Sequence, residues 1–116
     1  LNGRPILACQ YFMDKGHWQI YNHAVRGRGN SGDFRTVGIH QVPKVVLKTA
    51  VRSANLVGSG LYGVDLKHAG ERCVVIEVND NPNIDRGVED AYLGDDLYHI
   101  IIDEFLRRME KQRQRV

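Results

Sequence analysis

The chain lacks most of the features that mark specialised classes of protein. It has two cysteines in 116 residues, Cys9 and Cys73, each inside an apolar run. Two such cysteines make neither a disulfide framework nor a zinc site. The expectation is a pair of buried free thiols in a reducing compartment, the cytoplasm. The five histidines show no metal-ligand spacing. No apolar run reaches the length of a membrane span, and the stretch 100–102 (III) is far too short. The start, residues 1–4 (LNGR), has no charged-then-apolar leader pattern. Three prolines and no low-complexity tract argue against global disorder. No internal repeat is present. Neither sign of charge dominates: 16 basic against 14 acidic residues give a net +2, too little to imply nucleic acid by itself. An initiator Met is also missing, so the expectation is a piece of a longer chain.

What is present suits one small soluble domain spanning 1–116, with 42% hydrophobic and 26% charged residues. The run 5–13 (PILACQYFM) ends at a DKG turn signal and predicts a buried strand. Residues 17–23 (HWQIYNH) predict a second strand, 26–33 (RGRGNSGD) a glycine-rich loop, and 34–41 a further short strand. Pro43 opens a helical pattern, because a first helical turn has no partner for the N–H that proline lacks. Val46, Leu47, Ala50, Val51 and Ala54 recur at three- and four-residue spacings, and Gly58 and Gly60 end the pattern. The clearest strands are 61–67 (LYGVDLK) and 73–80 (CVVIEVND). The short link 68–72 makes an antiparallel hairpin their natural pairing. A loop, 81–93, leads to a last helix starting near Asp95, with acids at its positive end and Arg107, Arg108 and Lys111 at its negative end. Leu97, Ile101 and Phe105, flanked by Ile100 and Met109, form its predicted buried face. The class is α+β: a mainly antiparallel sheet flanked by helices.

Asp65 and Glu77 each interrupt an apolar strand, and a buried carboxylate is costly unless paired or bound to a metal. With Lys67 opposite Cys73, the simplest register, Asp65 faces Val75. Glu77 is then its diagonal neighbour on the same face, and Asn79 lies two residues further along. Two carboxylates and an amide oxygen are hard ligands that favour magnesium or manganese over zinc. Magnesium is commonly completed by substrate phosphates, so a nucleotide is a natural co-ligand. The same acids also fit a solvated sheet face, and 81–83 (NPN) fits an ordinary turn.

The run Gly63-Val64-Asp65-Leu66, followed by Val75-Ile76-Glu77-Val78-Asn79-Asp80-Asn81-Pro82, resembles the end of the ATP-grasp fold. It is closest to the RimK-type ligases, with D-alanine–D-alanine ligase and glutathione synthetase as wider relatives. The resemblance implies the C-terminal part of an ATP-grasp domain. It implies two magnesium or manganese ions, with Asp65 on one, Glu77 bridging both and Asn79 on the second. It implies that Ile76 packs on adenine and that the hinge strand, with Gln10, Tyr11, Phe12 and Met13, meets the adenine edge. Tyr11 stands where the family usually has an acid. Trp18-Gln19-Ile20 resembles the next strand, with Gln19 replacing arginine. Gly32-Asp33-Phe34-Arg35 resembles a G-x-F-R segment, which makes Arg35 the candidate catalytic contact to the transferred phosphoryl group. The continuation Thr36-Val37-Gly38-Ile39-His40 departs from the family pattern. Arg86 and Gly87 lie where such enzymes meet their acceptor substrate.

The activity so implied is ATP-dependent ligation of a carboxylate to an amine through an acyl phosphate, with glutamate and a peptide or protein as possible substrates by analogy. The partners are then ATP, the acid, the amine and the N-terminal part of the same enzyme. A fragment without that part is expected to bind nucleotide weakly and not to ligate. Two alternatives stay open. One is a module binding single-stranded nucleic acid through Arg26, Arg28, Phe34 and Arg35, which its modest charge disfavours. The other is a catalytically degenerate ATP-grasp domain.

Overall fold

The computed structural model describes residues 1–12 and 34–115. Met13, the predicted strand 17–23 and the glycine-rich loop 26–33 lie outside these residues. Two antiparallel two-stranded sheets and two long helices form an α+β arrangement, in agreement with the sequence pattern. Strand β1 (Ala8–Tyr11) pairs with β2 (Phe34–Val37), with Gln10 opposite Arg35 and Tyr11 opposite Phe34. The strand predicted over 34–41 is shorter than that. It stops at Val37, and Ile39–Gln41 forms a 3-10 turn. Gly38 sits at the junction because a Cβ there would lie 2.7 Å from the Tyr92 ring.

Helix α1 (Lys44–Val57) begins immediately after Pro43, whose carbonyl accepts the first helical N–H groups, from Val46 and Leu47. Gly58 closes it with an N–H bond to the Ala54 carbonyl. Strand β3 (Gly63–Ala69) and strand β4 (Arg72–Asn79) form the predicted hairpin, and α1 packs across both. The half-buried Val64 and Leu66 of β3 and Cys73, Val75 and Val78 of β4 make the face toward the helix. Apolar burial against α1 thus orients the hairpin and leaves its other face open.

The hairpin register corrects the expected one. The link is a two-residue turn, Gly70 and Glu71, so His68 rather than Lys67 lies opposite Cys73. Gly70 adopts a φ of +59°, which a residue with a Cβ takes up only at a cost. A second shift follows between Asp65 and Leu66. Leu66 pairs with Val75 but Asp65 pairs with Glu77, so Ile76 is an extra residue in β4. This is a β-bulge, one residue inserted into a single strand.

After a loop with a 3-10 turn at Glu89–Ala91, helix α2 (Asp95–Gln114) runs to the end of the described chain. Asp95 and Asp96 occupy its first turn as expected. Its predicted buried face is only half right. Leu97 is fully buried and Ile101 nearly so, but Ile100, Phe105 and Met109 are exposed. The predicted basic end holds for Lys111 but not for Arg107 and Arg108. Arg107 and Arg108 reach back to Glu104, with bonds of 2.7–2.8 Å, while Lys111 and Arg113 occupy the last turn. Arg108 also donates to the side chain of Asn2 and to the Ser59 carbonyl (3.1 Å), tying α2 to the N-terminal residues and the loop after α1. Both cysteines are free and half-buried. No helix among the described residues is long and apolar enough to cross a membrane.

Two outcomes test this packing. Leu97→Ala should cost about 2–5 kcal/mol in urea unfolding, whereas Leu106→Ala, on the exposed side of the same helix, should cost under ~0.5 kcal/mol. Arg107 first, then Arg108 and Asn2, hold the Glu104 carboxyl well below its ordinary value of 4.5. A carboxyl with a lowered folded pKa stabilises fully above its unfolded pKa and loses that contribution as pH falls. The unfolding midpoint of Glu104→Gln should therefore lie below wild type at neutral pH, and the gap should close as pH drops below 4.5.

Candidate functional site

The bulge decides which side chains share the open face of the hairpin. Side chains alternate between faces along a strand, and one inserted residue reverses the alternation beyond it. Before the bulge, Arg72 and Val74 face outward while Cys73 and Val75 face α1. Strict alternation would send Glu77 and Asn79 toward the helix. With Ile76 inserted, Ile76 and Glu77 are both exposed, and Val78 turns to the helix instead. Glu77 lies directly opposite Asp65, and Asn79 lies opposite Gly63, two residues along the same face. Asp65, Glu77 and Asn79 therefore lie together on one face.

Directly opposed residues place their Cβ atoms about 4.5–5.5 Å apart, closer than the diagonal pairing read from the sequence. Two carboxylates in that position repel one another unless a cation lies between them. Among the described residues neither the Asp65 nor the Glu77 side chain makes a hydrogen bond or an ion pair. Lys67, two residues along the same face from Asp65, forms no ion pair with either. The Asn79 side-chain oxygen accepts the Asn81 N–H at 2.9 Å, which fixes its direction and leaves its second lone pair for another partner. Ile76 and Val74, 56% and 48% exposed, form an apolar strip beside the acids. The donor set fits a hard divalent cation that also takes oxygens from a ligand. Among the described residues no three His, Cys, Asp or Glu side chains cluster as a self-sufficient metal site.

The loop after β4 is held against this face. A Cβ on Gly63 would meet the Pro82 side chain at 3.0 Å, so glycine opposite Asn79 gives the Asn81–Pro82 segment its room. That contact gives a physical reason for the glycine and the proline of the two motifs, which the sequence reading treated separately.

Gln10 and Arg35 form a second group on the β1–β2 sheet. The Arg35 guanidinium donates to the Gln10 side-chain oxygen at 3.1 Å, and the Tyr11 and Phe34 rings lie 6.1 Å apart beside them. Tyr11 and Phe12 are exposed. Among the described residues no strand pairing joins this sheet to the β3–β4 hairpin. The fold brings three oxygen-bearing side chains onto one face and pairs Gln10 with Arg35, and among the described residues no shared sheet joins the two sets. Burial pushes the Cys9 thiol up, opposed by its contact with the Thr36 hydroxyl at 3.6 Å.

Arg86 and Gly87 lie in the turn before the second 3-10 segment, Gly87 with a φ of +82°. The Gly87 N–H donates to Asp90 at 2.6 Å, and Asp90 accepts the Tyr98 hydroxyl at 2.8 Å. Tyr98 first, then the Gly87 amide, hold the Asp90 carboxyl below its ordinary value. Sequence reasoning missed Asp90 and Tyr98, since an acid in a loop and a tyrosine on a helix carry no signal at that spacing.

Comparison with known proteins now gives the fold a setting. The chain is similar to the probable alpha-L-glutamate ligase of Syntrophotalea carbinolica, 34% identical over 96 residues that cover 76% of this chain and 30% of the relative. It is similar to the proteins of the same name from Aliivibrio fischeri (35% over 88 residues, 69% of this chain and 28% of the relative) and Halorhodospira halophila (34% over 95 residues, 76% and 30%). No family model and no solved structure matches it. The architecture is compatible with the C-terminal portion of an ATP-grasp domain. These likenesses are consistent with an ATP-grasp, RimK-like ligase. It spans about 30% of the length of the curated relatives it matches.

Like-charge crowding gives this site a stability signature. In metal-free buffer, Asp65→Asn should raise the unfolding free energy by a few tenths of a kcal/mol (~0.3), because it removes an exposed carboxylate pair. Added Mg2+ or Mn2+ should stabilise wild type more than the variant.

Proposed function

We propose that the chain is the C-terminal, Mg-ATP-binding part of an ATP-dependent carboxylate–amine ligase. The observation that carries this reading is the direct pairing of Asp65 with Glu77 on an open face that also holds Asn79 and Ile76. Asp65, Glu77 and Asn79 would hold two magnesium ions, and manganese fits the same oxygen set. When bound, the ions neutralise charge on the ATP phosphates. Ile76 offers an apolar surface to adenine, and the β1 segment at Gln10, Tyr11 and Phe12 borders the base, with Met13 following. Arg35, steadied by Gln10, sets a positive group beside the migrating phosphoryl. Arg86 and Gly87 border the acceptor.

In this scheme a substrate carboxylate oxygen attacks the γ-phosphorus and ADP leaves, giving an acyl phosphate. The amine then attacks the acyl carbon, phosphate departs and the nitrogen loses a proton, which forms the amide. The residues contribute positioning and charge complementarity rather than acid–base chemistry. The relatives' name supports glutamate as one substrate, and the proposed second substrate is a peptide or protein. The whole reaction belongs to the full-length protein, and the present chain alone should not ligate.

Glu77→Gln in the full-length protein should abolish ATP turnover while leaving the circular dichroism spectrum and the unfolding midpoint intact. Turnover at the wild-type rate by this variant would overturn the assignment.

A further inference from the structure

The segment 85–91 is tied at both ends. From β2, the Thr36 hydroxyl donates to the Val88 carbonyl at 2.6 Å, a part-buried bond that joins residues 52 positions apart. From α2, Tyr98 donates to Asp90, and Asp90 in turn accepts the Gly87 N–H. Within the segment, Asp85 N–H donates to Glu89 at 2.8 Å and Val88 N–H to the Asp85 carbonyl at 3.1 Å. Arg86 and Gly87 sit at the tip of this braced turn, and Arg86 is exposed with no ion pair among the described residues. Thr36 is the immediate neighbour of Arg35 in β2. It also begins the stretch where the sequence leaves the family pattern, so this brace belongs to the chain's own residues.

We propose that Thr36 is a positioning residue. Its bond to Val88 sets the Arg86–Gly87 turn relative to the strand that carries Arg35, and Tyr98 acting through Asp90 holds the other side. The inference rests on the ligase reading, in which Arg35 serves the phosphoryl group and the 86–87 turn serves the acceptor. One strand then sets both distances. A threonine hydroxyl suits the task because it is short, stiff at χ1 and able to donate to the carbonyl while accepting from the Cys9 thiol at 3.6 Å.

The test is steady-state ligation by the full-length protein, with glutamate and a short peptide as substrates. Thr36→Val keeps the shape of the side chain and removes its donor. It should raise the KM of the amine about three- to tenfold, the range that loss of one hydrogen bond gives. The KM of ATP and the unfolding midpoint should stay within twofold and within about 2 °C of wild type. Thr36→Ser should restore the amine KM, because it restores the donor. Tyr98→Phe cuts the opposite tie without touching β2 and should shift the amine KM in the same sense, which keeps the test decisive if Thr36→Val folds poorly. An unchanged amine KM in both variants, or an equal rise for ATP and amine, overturns the proposal while the ligase reading stands. Absence of ATP-dependent ligation by the wild-type full-length protein overturns both.

Discussion

One inserted residue, Ile76, is the constraint on which the site depends. A hairpin packed on a helix sorts its side chains into a covered face and an open face, and strict alternation would leave Glu77 and Asn79 covered against α1. The bulge resets that parity after Val75. It keeps Val78 available to the helix and turns both polar groups outward beside Asp65. Packing against the helix and presentation of polar groups therefore draw on the same strand without competing. The hydrophobic face holds β4 in place, and the shifted half of the strand presents the oxygens.

The second sheet is organised differently. β1 and β2 are short, and their polar pair, Gln10 with Arg35, is exposed. Their anchoring comes from Val37, which is nearly fully buried, and from the bond between Thr36 and the segment that follows the hairpin. Among the described residues the two sheets are linked by the Thr36 bond to the loop 85–91, with no strand pairing between them. An arrangement of that kind lets groups on separate sheets keep a set distance without sharing one rigid layer.

Much of this was legible in the residues. The strands of the hairpin and the helix after Pro43 follow from periodicity and turn chemistry. The register did not. A two-residue turn at Gly70-Glu71 and a bulge at Ile76 each displace the pairing by one, and nothing in a run of β-branched residues marks which of them is extra. Asp65 and Glu77 nevertheless share a face because the two one-residue displacements cancel in parity, while Val75, expected beside them, turns to α1. On α2, spacing identified the apolar stripe but not its cover. Leu97 and Ile101 are enclosed by their neighbours, while Phe105 and Met109 extend past them. Periodicity states which side of a helix is apolar, and only tertiary structure states how far along it burial reaches.

Gly63 and Pro82 touch across the mouth of the hairpin, with no space between them for an added methyl group. Substitutions at these two positions are therefore not independent. A lineage that enlarges residue 63 has to shrink or displace residue 82, and Asn79 would move with the segment it anchors at Asn81. Sequence drift in the strand before the first acid and in the turn after the amide should consequently be correlated, although one residue lies in β3 and the other in the turn beyond β4.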